Sequence, residues 1–555
     1  MQTLLVRVLL YTLVGLFWLG CGLPVVEVFP ALSGFTGKSA LIGVAWNQGP
    51  PQALLDTGIS ATLLDEFPLS SHIQSYFSGQ RIFPAHSSKL GIFCIEAKSS
   101  GHLFSFLHTL EKEGEVLFVE PNETYAFFST PPLQPVDWKG LSLLYQEKSN
   151  WWTESIRLPE ALAWLKLKFS GSKESVVAVF DSGVDIQHVA LMEGKIWKNP
   201  TPGAFGCKDD VWGCNTGADA PGFLGTGDVF PFQTSAYGEP CPADISGPSG
   251  DCFHGTNVTG LVVGDVQLGG SGVCPVCRVL PVKVMDREGV HAQVTDEAFL
   301  KGLIYVSKIN EAFPGMVSVI NASFGKKQRS RIIEFYISKL YEQGTLLVAA
   351  AGNEDTEERM FPAAFPQVVA VTALTRTGQK AVYANFGTWV DIAAPGGDDE
   401  AAQGLILSLV PGSGLTFTQG TSIAAPFVSG VLGLHAALFP SWSAQARRHA
   451  LLQSSNPSLY DPTAEDGLNA DTYLVEVDGE KRPLLGHGKL DVFQFLQGQG
   501  ASGVRGYEPL PERVQRGCGV VGLDHETVEE GGLLWLLLLS PILSVAYFRR
   551  KIDGR

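Results

Sequence analysis

The sequence predicts an α/β domain, a mainly parallel sheet with helices on both faces. Three observations carry that prediction. Short runs rich in Val, Ala and Ile recur between about residues 170 and 440. Amphipathic stretches lie between them, and several of the runs end on a polar residue. A parallel sheet covered on both faces needs strands that are apolar on both sides, so its strands read as continuous rather than alternating runs.

In order, "SVVAVFDSG" is a strand ending at Asp181, and "CRVLPVKVMD" is the next. "VTDEAFLKGLIYVSKINEAF" is a helix with Thr295 as N-cap. "MVSVINASFG" is a strand with Asn321 near its end, and "SRIIEFYISKLYEQG" is a helix closing on Gly344, where a C′ glycine belongs. "TLLVAAAGN" ends at Asn353, and "QVVAVTAL" follows as another strand. In open α/β sheets, sites form beyond the carboxyl ends of the strands, where Asp181, Asn321 and Asn353 stand. "QGTSIAAPFVSG" places Ser422 at the mouth of an apolar helix, with Pro426 early enough that its missing N–H costs little. Ahead of this domain, Lys89 to Phe127 reads strand, helix, strand, and the proline-rich "STPPLQPVDW" is an exposed connection.

A chain of 555 residues, 45% hydrophobic and 17% charged, holds about two to four globular domains. The formal net charge of −16 argues against a nucleic-acid partner, since no basic field would attract phosphates. Residues 1–22 carry Arg7, an apolar stretch and small residues, the pattern of an export signal. Gly20-Cys21 also suggests a lipoprotein site, although Trp18 is awkward there. Residues 499–532 form a Gly-, Pro- and charge-rich linker. Residues 533–548 are apolar, at the short edge of a membrane span, and 549–555 form a basic tail. The segment also loosely resembles a cleaved bacterial sorting signal. The expected address is the cell envelope or the exterior, with membrane association through this segment.

Six of nine cysteines fall between Cys207 and Cys277, which favours disulfides in an exported chain. Cys274-Pro-Val-Cys277 is the alternative start of a zinc site, but no second CxxC accompanies it.

The nucleophile reading of Ser422 requires a base, an orienting acid and an oxyanion donor. Asp181, in "FDSGVDIQH", is a carboxylate at the end of a buried strand and must be hydrogen-bonded there. His254, in "FHGTNVTGLVVG", opens a helix of small residues, and no other histidine is followed by Gly-Thr. Asn353 offers a side-chain NH2, and Ser422 a first-turn backbone N–H, to a developing oxyanion.

Asp181-Ser-Gly183, His254-Gly-Thr256, Asn321-Ala-Ser323, Ala351-Gly-Asn353 and Gly420-Thr-Ser422, in that order, resemble the subtilisin-like serine proteases over about residues 150–495. "FPAAFP", "NFGTWVDIAAPG" and "LLGHGKLDVFQFL" extend the likeness. The resemblance implies a subtilisin-like parallel sheet in a catalytic domain at 150–497. It also implies a small α+β (ferredoxin-like) propeptide domain within 23–130, with its core at 89–127. By position, Ser422 is the nucleophile, His254 the general base and then acid, Asp181 its orienter, and Asn353 the oxyanion donor. Ser323, Phe324 and Gly325 would line the substrate edge, with Ala350, Ala351 and Gly352 as the other wall. Polypeptides are the implied substrates and the propeptide the inhibitor, cut off between about Phe127 and Trp151. No cofactor is required. A structural calcium is a family-type expectation for the loop at 194–252, which carries Asp209, Asp210 and Asp219. Ile423 replaces the methionine usual after the serine, a swap of similar volume. A lipase is disfavoured because GxSxG is absent. A catalytically silent binding module of the same fold is the remaining alternative.

Overall fold

The computed structural model describes residues 39–46, 60–68, 89–98, 103, 106–107, 116–127, 150–168, 174–192, 194–217, 224–231, 253–264, 272–288, 291–398, 404–461, 470–477 and 480–498. Segments 1–22 and 499–555, with Asp219, Cys241 and Cys252, lie outside the described residues. Contacts divide the chain into Met1–Arg505 and Gly506–Arg555, and every described residue belongs to the first unit.

Four strands, β1 (Ser39–Trp46), β2 (Ser60–Pro68), β3 (Lys89–Glu96) and β4 (Val116–Pro121), form a sheet in the order β2-β3-β1-β4. All three of its pairings are antiparallel. Ala40, Ile42 and Val44 of β1 face Leu103, Phe106 and Leu107, which are helical. The alternate residues Leu41 and Ala45 face a second core. Both faces of β1 are therefore apolar, and its sequence shows no period of two. The strand β5 (Thr124–Phe127) follows.

The central sheet begins with β6 (Ser175–Asp181), and three two-residue strands follow it: β7 (Cys207–Lys208), β8 (Cys214–Asn215) and β9 (Gly225–Thr226). After helix α1 (His254–Val263) come β10 (Cys277–Lys283), β11 (Met285–Glu288) and β12 (His291–Thr295). Helix α2 (Asp296–Ala312), β13 (Val317–Ala322), β14 (Phe324–Gly325) and α3 (Arg331–Glu342) continue the chain. Then come β15 (Leu346–Ala350), β16 (Val368–Leu374), β17 (Ile392–Pro395) and α4 (Thr421–Leu438).

Nine strands join in the order β17-β16-β15-β13-β6-β10-β8-β9-β7, and only the β8–β9 pair is antiparallel. Val177 and Val179 of β6 point into a core shared with α1 and α4, whereas Val176, Ala178 and Phe180 point into one shared with α2 and α3. This two-sided burial is why the runs read as continuous. Thr295 caps α2 by accepting from Ala298 N–H at 3.1 Å, and Gly344 follows α3 with φ +94°. Among the described residues, α4 is the one helix long and apolar enough to cross a membrane, and it is buried in the core.

The outer face of the first sheet packs on the α2/α3 side of the larger one, with Leu41, Leu64, Ile92 and Phe118 in one cluster with Phe299, Tyr305 and Tyr336. Buried polar contacts tie the two together. Glu120 accepts from Ser330 Oγ at 2.7 Å and from Arg331 N–H at 2.9 Å, satisfying the orphan amide at the start of α3. Tyr336 donates to Asp65, and the Cys94 thiol to Glu297 Oε2 at 3.0 Å.

Disulfides join Cys207 to Cys214 and Cys274 to Cys277. The second consumes both thiols of the CxxC motif, so the zinc alternative is set aside. Asp210 is buried and accepts from Asn199 Nδ2 at 2.7 Å, Tyr305 Oη at 2.7 Å and Gly203 N–H at 2.6 Å. Its oxygens face N–H and O–H donors, an environment that does not suit a calcium ligand. Among the described residues, no group of three or more His, Cys, Asp or Glu is placed to hold a metal.

His435 of α4 is stacked on Phe495 with ring centroids 4.5 Å apart and lies beside Arg447. Burial, then the Arg447 charge, push its pKa down to about 3 from 6.5. The folded state therefore keeps His435 neutral where the unfolded chain binds a proton. Stability rises with pH between those two values and falls as acid is added, with a slope of at most about 1.4 kcal/mol per pH unit from this group. His435→Phe is expected to flatten that slope in urea midpoints measured from pH 4 to 7.

Candidate active site

β6 ends on Asp181, whose carboxylate is fully buried. Its Oδ1 accepts the Ser182 N–H at 2.7 Å. His254, the first residue of α1, directs Nδ1 at both oxygens, 2.9 Å from Oδ1 and 3.0 Å from Oδ2. A carboxylate can only accept, so Nδ1 carries the hydrogen and Nε2 is the basic nitrogen of the neutral ring. The contact depends on close approach of two backbones. A Cβ on Gly255 would lie 2.2 Å from the Gly183 carbonyl oxygen and 3.0 Å from Asp181 Cβ. The Gly255 N–H donates to Ser182 Oγ at 3.1 Å, pinning the first turn of α1 to the end of β6.

Ser422 lies in the first turn of α4, behind Gly420, whose φ of 140° starts the helix. Ser422 is fully buried. Asn353 Oδ1 accepts from both Thr421 N–H at 2.9 Å and Thr421 Oγ at 2.8 Å, and Thr421 Oγ accepts the Gly352 N–H at 3.1 Å. The two donors of Thr421 fix which end of the Asn353 amide is oxygen, so its NH2 is the opposite end of the plane. Gly352 has φ +111°, and a Cβ there would meet Asn385 Nδ2 at 2.3 Å. Asn385 donates to the Ala351 carbonyl at 3.0 Å and accepts the Glu354 N–H at 2.8 Å, holding the turn that presents Asn353.

Pro426 sits deeper in its helix than its sequence reading suggests. It is the sixth residue of α4, so its missing N–H orphans the Ser422 carbonyl one turn back. Ser323 Oγ donates to that carbonyl at 3.1 Å and accepts from Asn321 Nδ2 at 3.0 Å. The Ser323 side chain therefore positions the Ser422 backbone, while Phe324 and Gly325 form the adjoining strand edge. Ala350, which ends β15, and Ala351 and Gly352, which follow it, are buried behind Asn353.

Two bonded groups result: Asp181 with His254, and Asn353, Thr421, Ser422 and Ser323. The helices α1 and α4, whose first turns carry His254 and Ser422, pack side by side, and a Cβ on Gly430 would lie a tight 3.3 Å from the Val262 carbonyl oxygen. Sequence reasoning gave no role to Thr421 or Asn385. Asn385 does stand in the quoted "NFGTWVDIAAPG", and Thr421 directly precedes the serine.

The edge of β14 is occupied. β5 pairs with it antiparallel, Phe127 opposite Phe324 and Ala126 opposite Gly325. On its other side β5 pairs with β12, Tyr125 opposite Val294 and Thr124 opposite Thr295.

A largely parallel α/β sheet with an acid–histidine pair at one strand end and a serine on a helix N-terminus has the architecture of a serine-hydrolase fold. The Subtilase family model matches residues 172–490, more than half of the chain, and the chain belongs to that family. A thermophilic serine proteinase of Bacillus sp. (strain AK1) is 29% identical over 49% of this chain and 54% of its own length. Subtilisin BL of Lederbergia lenta is 31% identical over 38% of this chain and 71% of its own length. The chain thus spans about half the length of the first of these relatives. A solved structure, that of the prenylagaramide maturation protease PagA, is similar at 23% identity over 61% of this chain and 97% of that one, with a TM-score of 0.40.

Proposed function

We propose that the chain is a serine endopeptidase that hydrolyses peptide bonds through an acyl-enzyme. Ser422 Oγ attacks the peptide carbonyl while His254 Nε2 takes its proton and then delivers it to the leaving amine. Asp181 holds the ring tautomer and stabilises the imidazolium. The Asn353 NH2 and the Ser422 N–H take the negative charge that develops on the carbonyl oxygen. Water then attacks the ester with His254 again as base, and no cofactor enters the cycle. The observation that carries this reading is the buried bond from His254 Nδ1 to Asp181 in a member of a family whose motifs occur here in order.

We further propose that the chain is made latent. Residues 39–127 would act as the inhibitory propeptide, with β5 in the place of substrate on β14. The antiparallel register runs from Phe127 in the direction of Ser323, which is bonded to Ser422, so a cut beyond Phe127 would release the segment. Export, supported by the two disulfides, and tethering through 533–548 complete the proposal.

Labelling with a fluorophosphonate probe after processing, alongside hydrolysis of a mixed peptide library, tests the reading. Labelling and hydrolysis that both disappear in Ser422→Ala are expected. Absence of both in the processed, unmodified chain would favour a silent binding module. Mass analysis of the mature ends tests processing and the fate of both termini. Asn353→Ala is expected to lower kcat by about 100- to 1000-fold, measured on one library-derived peptide.

A further inference from the structure

β5 is held by more than backbone pairing. Tyr125 is buried, with its ring edge-on to Phe299 and Phe324, each at a centroid distance of 5.4 Å. The Lys326 ammonium lies over that ring, 4.8 Å from its centroid. At the far end, the Tyr125 hydroxyl donates to Asp296 Oδ1 at 2.6 Å. The other Asp296 oxygen takes Lys326 Nζ at 2.6 Å and the Glu123 N–H at 3.1 Å. The backbone completes the clamp, since Asp296 N–H donates to the Glu123 carbonyl at 2.8 Å. Asp296 is 1% exposed and Lys326 6%.

Asp296, Phe299, Phe324 and Lys326 all lie within the matched family region, whereas Tyr125 lies outside it. We propose that the pocket filled by Tyr125 is a substrate subsite selective for tyrosine, with Asp296 accepting from the hydroxyl and Lys326 lying over the ring. This rests on the endopeptidase reading, because it takes β5 as a stand-in for substrate. The chemistry of the pocket favours tyrosine over its isosteres. A phenylalanine fills the aromatic walls but leaves Asp296 Oδ1, buried beside one lysine, without the donor it has now. A leucine loses the ring edges and the cation–π contact as well. Burial, then the Asp296 charge, push the Tyr125 phenol well above its usual range, so it stays protonated and acts as the donor. Sites built to bond a hydroxyl reject the analogue lacking it more strongly than apolar pockets reject a changed methylene.

Two measurements test the proposal, one on the processed enzyme and one on the uncut chain. In the first, the processed enzyme cleaves quenched peptides carrying residues 121–130, with Tyr, Phe or Leu at the position of Tyr125. The Tyr peptide is expected to exceed the Phe peptide by about 10- to 100-fold in kcat/KM, and the ratio to fall below about threefold in Asp296→Asn. Equal turnover of Tyr and Phe peptides by the unmodified enzyme overturns the subsite and leaves the endopeptidase reading intact. The second measurement needs no catalysis. In chains carrying Ser422→Ala, amide exchange of Thr124–Phe127 is compared with and without Tyr125→Phe. About tenfold faster exchange in Tyr125→Phe, lost when Asp296 is also Asn, supports hydroxyl reading even if no peptide is cleaved, in which case only the endopeptidase reading falls. Unchanged exchange in Tyr125→Phe overturns the pocket's selectivity for tyrosine.

Discussion

Ser422→Ala is expected to lower kcat on a peptide substrate by about 10⁶-fold. No neighbouring hydroxyl can take over. Ser323 Oγ is bonded to the Ser422 carbonyl, and Thr421 Oγ lies between Gly352 N–H and Asn353 Oδ1. Both are committed to holding the backbone, so they stay where they are when Ser422 loses its Oγ. The fold should be unaffected, since one oxygen is removed from a first-turn position and alanine is a good helix former. The same variant should keep residues 39–127 covalently attached, whereas the unmodified chain sheds them. Peptide kinetics and intact mass on one preparation check both outcomes. A chain that sheds the segment equally well with alanine at 422 is being cut by another protease, and the latency proposal then loses its self-processing step.

Asp181→Asn is expected to reduce kcat by about 10⁴-fold with little change in fold. The carboxylate accepts from Nδ1 with both oxygens and takes the Ser182 N–H on Oδ1. An asparagine can keep the Ser182 bond with its oxygen, and its NH2 then faces Nδ1. That donor forces Nδ1 to become an acceptor, the hydrogen moves to Nε2, and the ring can no longer accept the serine proton. The loss of charge also removes the partner of the imidazolium. The fall should be in kcat with KM little altered, and activity should recover partly at high pH as hydroxide replaces the missing base. A drop of less than tenfold would mean that His254 is not the base.

Much of the candidate site was legible because its geometry demands unusual neighbours. A Cβ at position 255 would lie 2.2 Å from the Gly183 carbonyl oxygen, so the glycine there leaves a visible mark beside His254 and Asp181. The strands of the large sheet were legible for a similar reason, since burial on both faces erases alternation. The same erasure hid β1, whose two apolar faces serve two different cores. The rest depended on partners far apart in the chain. Asp296 reads as an ordinary acidic residue in the first turn of a helix, and Lys326 as a surface lysine. Only the fold brings them within 2.6 Å of each other and closes Tyr125 over both. Asn385 stands within "NFGTWVDIAAPG", but its bond to the Ala351 carbonyl joins residues 34 apart and leaves no local pattern.

Pro426 shapes how Ser422 is held. A helix normally carries each of its carbonyls on its own amides, so any bending or fraying of the helix moves them. At Ser422 that rung is missing, and the support comes from Ser323, beside a strand of the large sheet. The Ser422 backbone is thereby tied to a residue that follows β13 of the large sheet, and not to its own helix alone. Ser323 thus acts as a mechanical datum for the site.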